Sequence, residues 1–163
     1  MSVGAPRIDV TVAEVVQVND LITRFRFVRA DGGPMPTFSG GAHVVVEMDD
    51  HGTRRMNPYS LMSDPGDVSG YEISVRRDDG GRGGSLYMHR HVVPGMRMQI
   101  SYPVNLFPAD ARAKKHLFLA GGIGITPFMS LMAQLQPMGQ RFELHYAVRS
   151  LVLGAYVDRL RNA

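Results

Sequence analysis

No cysteine occurs anywhere in the 163 residues. That rules out disulfides, thiolate zinc sites, thiol nucleophiles and a cysteine-ligated iron–sulfur cluster held within this sequence. It also fits the cytoplasm, which is the expected location. Lysine is nearly absent too, with Lys114 and Lys115 the only two. Positive charge therefore rests on arginine, whose planar fork suits phosphate or carboxylate better than loose polyanion binding. The net charge is only +3, and the basic residues are scattered among acids, so nucleic acid is not an expected partner. No apolar run approaches the roughly 20 residues of a membrane helix, and no signal-peptide pattern is visible. A membrane is not an expected partner either. Among the six histidines no pair shows metal-ligand spacing and no Ser/His/Asp arrangement is visible; no metal ligand and no acid–base catalytic residue is expected.

What is present is an apolar fraction of 44%, ordinary for a globular protein and enough for one core or one domain plus part of another. The first hundred residues read as strands. Ile8 to Val18 alternates, and Leu21 to Val28 alternates strictly, with Arg24 and Arg26 facing away from Phe25 and Phe27. Asn19-Asp20 is a turn. Further strands are expected at Val44–Met48, Arg54–Leu61, Tyr71–Arg77 and Met96–Tyr102, with one short helix from about Ser85 to Val92. Short strands separated by Gly/Pro turns predict a six-stranded antiparallel Greek-key barrel. After Pro103 the order becomes strand (His116–Ala120), helix (Thr126–Leu135), strand (Phe142–Val148) and helix (Leu151–Leu160). That βαβα order belongs to a parallel sheet. The expected division is residues 1–110 for the barrel and 111–163 for the α/β part.

Three stretches carry chemistry. The strand Arg55-Met-Asn57-Pro58-Tyr59-Ser60-Leu61 places a cation, an aromatic ring and a hydroxyl close together, suited to a phosphate and a flat ring. The loop Gly81-Arg-Gly83-Gly84-Ser85 opens a helix, where free N–H groups and Ser85 can hold a phosphate. The turn Gly121-Gly122-Ile-Gly124 stands between a strand and a helix and lets a second ligand approach the backbone. Singly, each has an ordinary reading: Arg55 as a solvated edge charge, Tyr59 as a core ring, each glycine run as a turn. At the end of the second α/β strand, Arg149 stands where dinucleotide folds discriminate the adenosine ribose and leans towards NADP. Its ordinary reading is a surface charge beside a helix.

Together and in order, Phe38…Gly41-Ala42-His43, Arg55…Tyr59-Ser60-Leu61, Gly83-Gly84-Ser85 and Gly121-Gly122-Ile123-Gly124-Ile125-Thr126-Pro127 resemble the ferredoxin–NADP reductase superfamily, especially its phthalate dioxygenase reductase branch. The resemblance runs from about residue 8 onwards. It implies a flavin-binding barrel followed by the opening of an NAD(P)-binding domain. Tyr59 and Ser60, bordered by Pro58 and Leu61, would line the isoalloxazine, and Arg55 would reach the flavin phosphate. Ser74, Val75 and Arg76 would border the flavin through their backbone, and Gly83, Gly84 and Ser85 would close on its phosphate. Thr126 would stand where flavin and nicotinamide meet, with Gly121, Gly122, Gly124 and Arg149 on the nucleotide side. FMN is expected in preference to FAD, with NAD(P)H as electron donor. One departure concerns the arginine, which lies four residues before Tyr59 rather than two. Asn57 takes its usual place, and a bulge is expected to let Arg55 or Arg54 compensate.

The activity implied is that of a reductase component passing electrons from NAD(P)H through FMN to an iron–sulfur or haem subunit of a multicomponent oxygenase. The Asn-Pro-Tyr-Ser variant resembles reductases of bacterial amine monooxygenases. The alternative is a flavin-binding electron-transfer or assembly module that oxidises NAD(P)H only when a partner completes its nucleotide domain. The family's later Cys-Gly motif and [2Fe–2S] domain have no counterpart in the sequence, so either a truncated chain or a split subunit is expected.

Overall fold

The structure, a computed structural model, describes residues 5–162. Six strands form one antiparallel sheet: β1 (Arg7–Asn19), β2 (Ile22–Arg29), β3 (His43–Asp50), β4 (Thr53–Ser60), β5 (Tyr71–Arg76) and β6 (Arg97–Ser101), in the order β4-β3-β6-β1-β2-β5. Placing β6 between β3 and β1 makes the Greek-key crossing. Register shifts in β1 at Val12/Glu14 and Gln17/Asn19 bend that long strand, and the sheet curls into a half-barrel. Its outer strands, β4 and β5, are joined through the Met62 N–H, which donates to the Glu72 carbonyl at 2.9 Å. Period-two patterning decides the faces. Val10, Val12, Phe25, Phe27, Val44, Val46, Ile73 and Ile100 point inward and are fully buried or nearly so. Arg24 and Arg26 point outward from β2, where Glu72, Glu14 and Asp67 pair with them.

One helix, α1 (Gly84–His91), packs Tyr87 and Met88 onto the inward faces of the strands. The β3–β4 hairpin turns on His51 and Gly52, both at positive φ (51° and 85°), as in a two-residue type I′ turn whose twist matches the strands.

After a short bridge between Val104 and His43, the chain forms β7 (His116–Gly121), a 3₁₀ turn (Gly122–Ile125), α2 (Thr126–Leu135), β8 (Phe142–Ala147) and α3 (Val157–Arg161). Strands β7 and β8 pair in parallel from His116↔Phe142 to Gly121↔Ala147. A second core gathers Phe118, Ala120, Ile125, Phe128, Leu131 and Leu135, and it includes Ile22 and Met62 from the half-barrel. Two sets of hydrogen bonds fasten this part to the half-barrel. On one side, Gly40 and Gly41 N–H donate to Gln134 Oε1 and Ser130 Oγ of α2. On the other, Asn19 Nδ2 donates to the Leu153 carbonyl and the Ser74 and Tyr156 hydroxyls share a hydrogen bond.

The helix expected over Leu151–Leu160 is confined to residues 157–161. Leu153 and Gly154 both donate to the Ser150 carbonyl, at 3.2 and 3.0 Å, forming tight turns. Tyr156 then adopts a left-handed conformation (φ 62°), which no α-helix propagates. Among the described residues no helix is long and apolar enough to cross a membrane.

Candidate functional site

Ten of the seventeen predicted residues line three clefts, and β4 contributes to two of them. Its pairing with β3 is unbroken from His43↔Ser60 to Asp50↔Thr53, so the expected bulge is absent. None is needed, because side chains two apart share a face of a strand. Arg55, Asn57 and Tyr59 therefore stand in a row opposite Met48, Val46 and Val44. Arg55 lies one pleat beyond Asn57 on the same face, about 6–7 Å further along the strand. Arg54, on the opposite face, is held by Glu47 (Nε–Oε1 2.7 Å).

That row faces the loop before α1. The Arg55 guanidinium donates through Nη1 to the Arg82 carbonyl and through Nε to Asp50 Oδ2 at 2.8 Å. A Cβ on Gly84 would lie 2.3 Å from Asn57 Nδ2, and one on Gly83 would lie 2.9 Å from Arg55 Cζ. Gly83 also has φ 97°. Only a chain without side chains passes this close to both polar groups. No side chain caps α1, so its first N–H groups are left for solvent or a ligand. Arg54, Arg55, Met56, Asn57, Arg82 and Gly84 enclose a cleft of about 200 Å³ here. Arg55 and Arg82, a side-chain amide and a helix N-terminus suit a phosphate, and the cleft has room for one. The Ser85 hydroxyl stands at the same turn and accepts from the Asp78 N–H at 3.0 Å, which leaves its proton free to donate.

Tyr59 continues the row. Its hydroxyl accepts from Asn57 Nδ2 at 3.3 Å, and burial raises its pKa against the smaller opposing effect of that bond. It stays a neutral phenol throughout the physiological range. The Leu61 side chain is fully buried and its N–H donates to the Ala42 carbonyl.

The other face of β4 lines a second cleft, of about 650 Å³, between the half-barrel and the α/β part. Pro58 and Ser60 meet Gly41, His43, Phe107, Gly124 and Pro127 there. Gly41 is tightly constrained: φ is 91°, and a Cβ would stand 2.0 Å from the Phe107 carbonyl oxygen. Thr126 does not line this cleft. It is buried, and its hydroxyl donates to the Ile123 carbonyl at 3.1 Å, which closes the 3₁₀ turn.

A third cleft, of about 280 Å³, opens at the carboxyl ends of β7 and β8. Arg76, Gly121, Gly122, Ile123 and Arg149 are among its walls, the usual place for a ligand in an open parallel sheet. On β5, Ser74 and Val75 are buried and already engaged. The Ser74 hydroxyl meets the Tyr156 hydroxyl and donates to Met62 Sδ, while the Val75 carbonyl is bonded by His89 Nε2 at 2.8 Å.

Two participants are not singled out in the sequence, Arg82 although it stands inside the glycine motif and Tyr156 with no motif at all. Arg82 lies between the glycines of the α1 loop and becomes part of the cationic cleft only because the loop folds back on Arg55. Tyr156 reaches Ser74 across 82 positions. Burial is the main cause of its raised pKa, with the Ser74 bond opposing.

No family model matches the chain. It is 46% identical over 152 residues to the carnitine monooxygenase reductase subunit of Escherichia coli (strain K12), a match covering 93% of this chain and 47% of that protein. It is 44% identical over 155 residues to the heme-dependent oxidative N-demethylase beta subunit of Ectopseudomonas mendocina (strain ymp), covering 95% and 49%. The chain thus spans about half the length of these curated relatives. Among solved structures, phthalate dioxygenase reductase superposes with a TM-score of 0.88 at 37% identity, over 94% of this chain and 47% of that one. With the motif order, the Greek-key half-barrel and the parallel β7–β8 pair all in agreement, the chain belongs to the ferredoxin–NADP reductase superfamily, in the branch of phthalate dioxygenase reductase.

Proposed function

We propose that this chain holds the flavin of a reductase component that takes electrons from NAD(P)H and delivers them to an iron–sulfur or haem protein of a multicomponent oxygenase. The observation that carries the reading is the row Arg55–Asn57–Tyr59 facing the side-chain-free loop Gly83–Gly84. In this reading Arg55 and the first turn of α1 bind the flavin phosphate, assisted by Ser85, and Asn57 hydrogen-bonds to it. Tyr59 and Ser60, with Pro58 and Leu61, border the isoalloxazine, and the backbone of Ser74, Val75 and Arg76 runs along its polar edge. The compact cleft of about 200 Å³ and its direct junction with α1 favour one phosphate, hence FMN over FAD. Bound flavin supplies the redox chemistry, and the protein supplies orientation, electrostatics and shelter from water.

The cleft beside Gly121, Gly122 and Arg149 receives the nucleotide, with Arg76 and Arg149 as its cations. Gly124 then lines the seam between the two cofactors, with Thr126 buried behind it closing the 3₁₀ turn, and the chain divides at residues 110/111. The relatives named for carnitine and for oxidative N-demethylation support an amine oxygenase as the system served.

The test is reconstitution with FMN and FAD followed by anaerobic titration with NADH or NADPH, with and without partner subunits. The expected outcome is a yellow protein that prefers FMN and is bleached by a reduced nicotinamide. Arg55→Ala removes a charge-assisted bond and weakens FMN by about 10–100-fold. A chain that binds FMN but is never bleached, even with partners, sinks the reductase reading. Unchanged FMN affinity in Arg55→Ala shows that the phosphate lies elsewhere.

A further inference from the structure

The β3–β4 turn lands beside the last turn of α1 and brings Asp50, His51 and His91 together. One donor atom from each, a carboxylate oxygen or a ring nitrogen, lies within 4.8 Å of the other two. Among the described residues this is the one group of three or more such side chains. It adjoins the Arg54–Arg55–Asn57 cleft only through the Asp50–Arg55 hydrogen bond, and neither histidine lines that cleft. We propose that Asp50, His51 and His91 form a binding site for a divalent transition-metal cation of the zinc type, which fastens the β3–β4 hairpin to α1.

Two imidazoles and a carboxylate, with open positions for water, are a recurrent ligand set for zinc and its neighbours in the first row. Each ligand is already aimed by its surroundings. His51 sits in the left-handed region at the first position of the hairpin turn, where Asn, Asp or Gly is usual. That turn brings its ring into a T-shaped contact with the His91 ring, with centroids 6.0 Å apart and planes at 89°. The His91 ring rests in turn on Tyr87, at a centroid distance of 5.2 Å. Asp50 gives only Oδ2 to Arg55, leaving Oδ1 for a cation. Arginine behind a ligating carboxylate is the kind of outer partner that orients metal ligands. Zinc bonds of about 2.0–2.1 Å put tetrahedral donors about 3.3 Å apart, so rotation of exposed side chains by about 1–1.5 Å closes the site.

The test is zinc titration of the untagged protein by calorimetry, with thermal unfolding in parallel. The expected result is one equivalent bound with micromolar affinity and a higher melting temperature in zinc. Glycine relieves the positive φ at position 51, so His51→Gly removes a ligand without endangering the fold. It should melt no lower than the parent without metal, lose the zinc-dependent rise and bind zinc about tenfold or more weakly. His91→Ala should weaken zinc to a similar degree. His145→Ala, which deletes an exposed imidazole beside Glu143 on β8, should leave binding unchanged. The proposal is overturned if no saturable binding occurs at millimolar zinc, or if His51→Gly and His91→Ala bind zinc as the parent does.

Discussion

The half-barrel and the α/β part are built from similar apolar residues but bury them differently. In the half-barrel, inward positions of five strands converge on one core, with Tyr59 of β4 packed against it, and the outward positions carry paired charge such as Arg24 and Glu72. In the α/β part only one face of the β7–β8 pair is covered. Phe118 and Ala120 lie under α2, while Leu117 and Leu119 on the opposite face are 60% and 68% exposed. Its core also borrows Ile22 and Met62 from the half-barrel. The same alternating pattern therefore encodes a finished core in one region and a one-sided layer in the other. Truncating an inward residue of the half-barrel should show the largest effect. Phe25→Ala leaves a cavity at a fully buried position and should cost about 3–5 kcal/mol in urea unfolding. Leu119→Ser should change stability by no more than about 0.5 kcal/mol. Comparable losses in the two variants would break the contrast.

The glycines differ between the regions in the same way. At the α1 loop the neighbours of Gly84 leave no space for a Cβ, whereas at Gly124 nothing lies within 4 Å of the place a Cβ would occupy. Gly84→Ala should push Asn57 out of its row, destabilise the fold by about 1–3 kcal/mol as overpacking does, and lower FMN retention on dialysis. Gly124→Ala should keep both stability and flavin. A Gly84→Ala protein that holds FMN as tightly as the parent would mean that the close approach to Asn57 has no bearing on the cofactor.

Much of this was legible in the sequence because it depends on period. The alternation in β2 and the Gly/Pro punctuation sufficed for the strands, and the motif order sufficed for the superfamily. The position of Arg55 was within reach of the same arithmetic. Residues 55, 57 and 59 share a face in any regular strand, so the offset from the usual arginine position needs no bulge. At Leu151–Leu160 the apolar spacing misled, because two turns on the Ser150 carbonyl and the left-handed Tyr156 override it, leaving Leu151 and Val152 in solvent. The partners of Arg82, Tyr156, His51 and His91 lie 27 to 82 positions away or meet where a hairpin touches a helix end. Those meetings are set by how the sheet curls, and no local pattern encodes them.

Charge gives the smallest and finest contrast. On the half-barrel, Glu47 is held between Arg54 and Arg7, with its side chain 22% exposed. On β8, Glu143 pairs with Lys115 and His145 and is more exposed. Both carboxyls titrate below their ordinary values, Glu47 chiefly through the Arg54 hydrogen bond and Glu143 chiefly through Lys115. A carboxyl with a lower pKa folded than unfolded binds fewer protons in the native state. Its stabilisation is therefore fully present above the unfolded value of about 4.3 and is lost as pH falls through the folded value. Relative to Glu47→Gln, the parent should be more stable at neutral pH by at most about 1 kcal/mol, and that advantage should vanish in acid. The Glu143→Gln difference should follow the same sign with pH. It should also fade in high salt before the Glu47 difference does, because a more exposed pair is screened more strongly. An advantage at Glu47 that persists in strong acid would show that the side chain acts by packing rather than by charge.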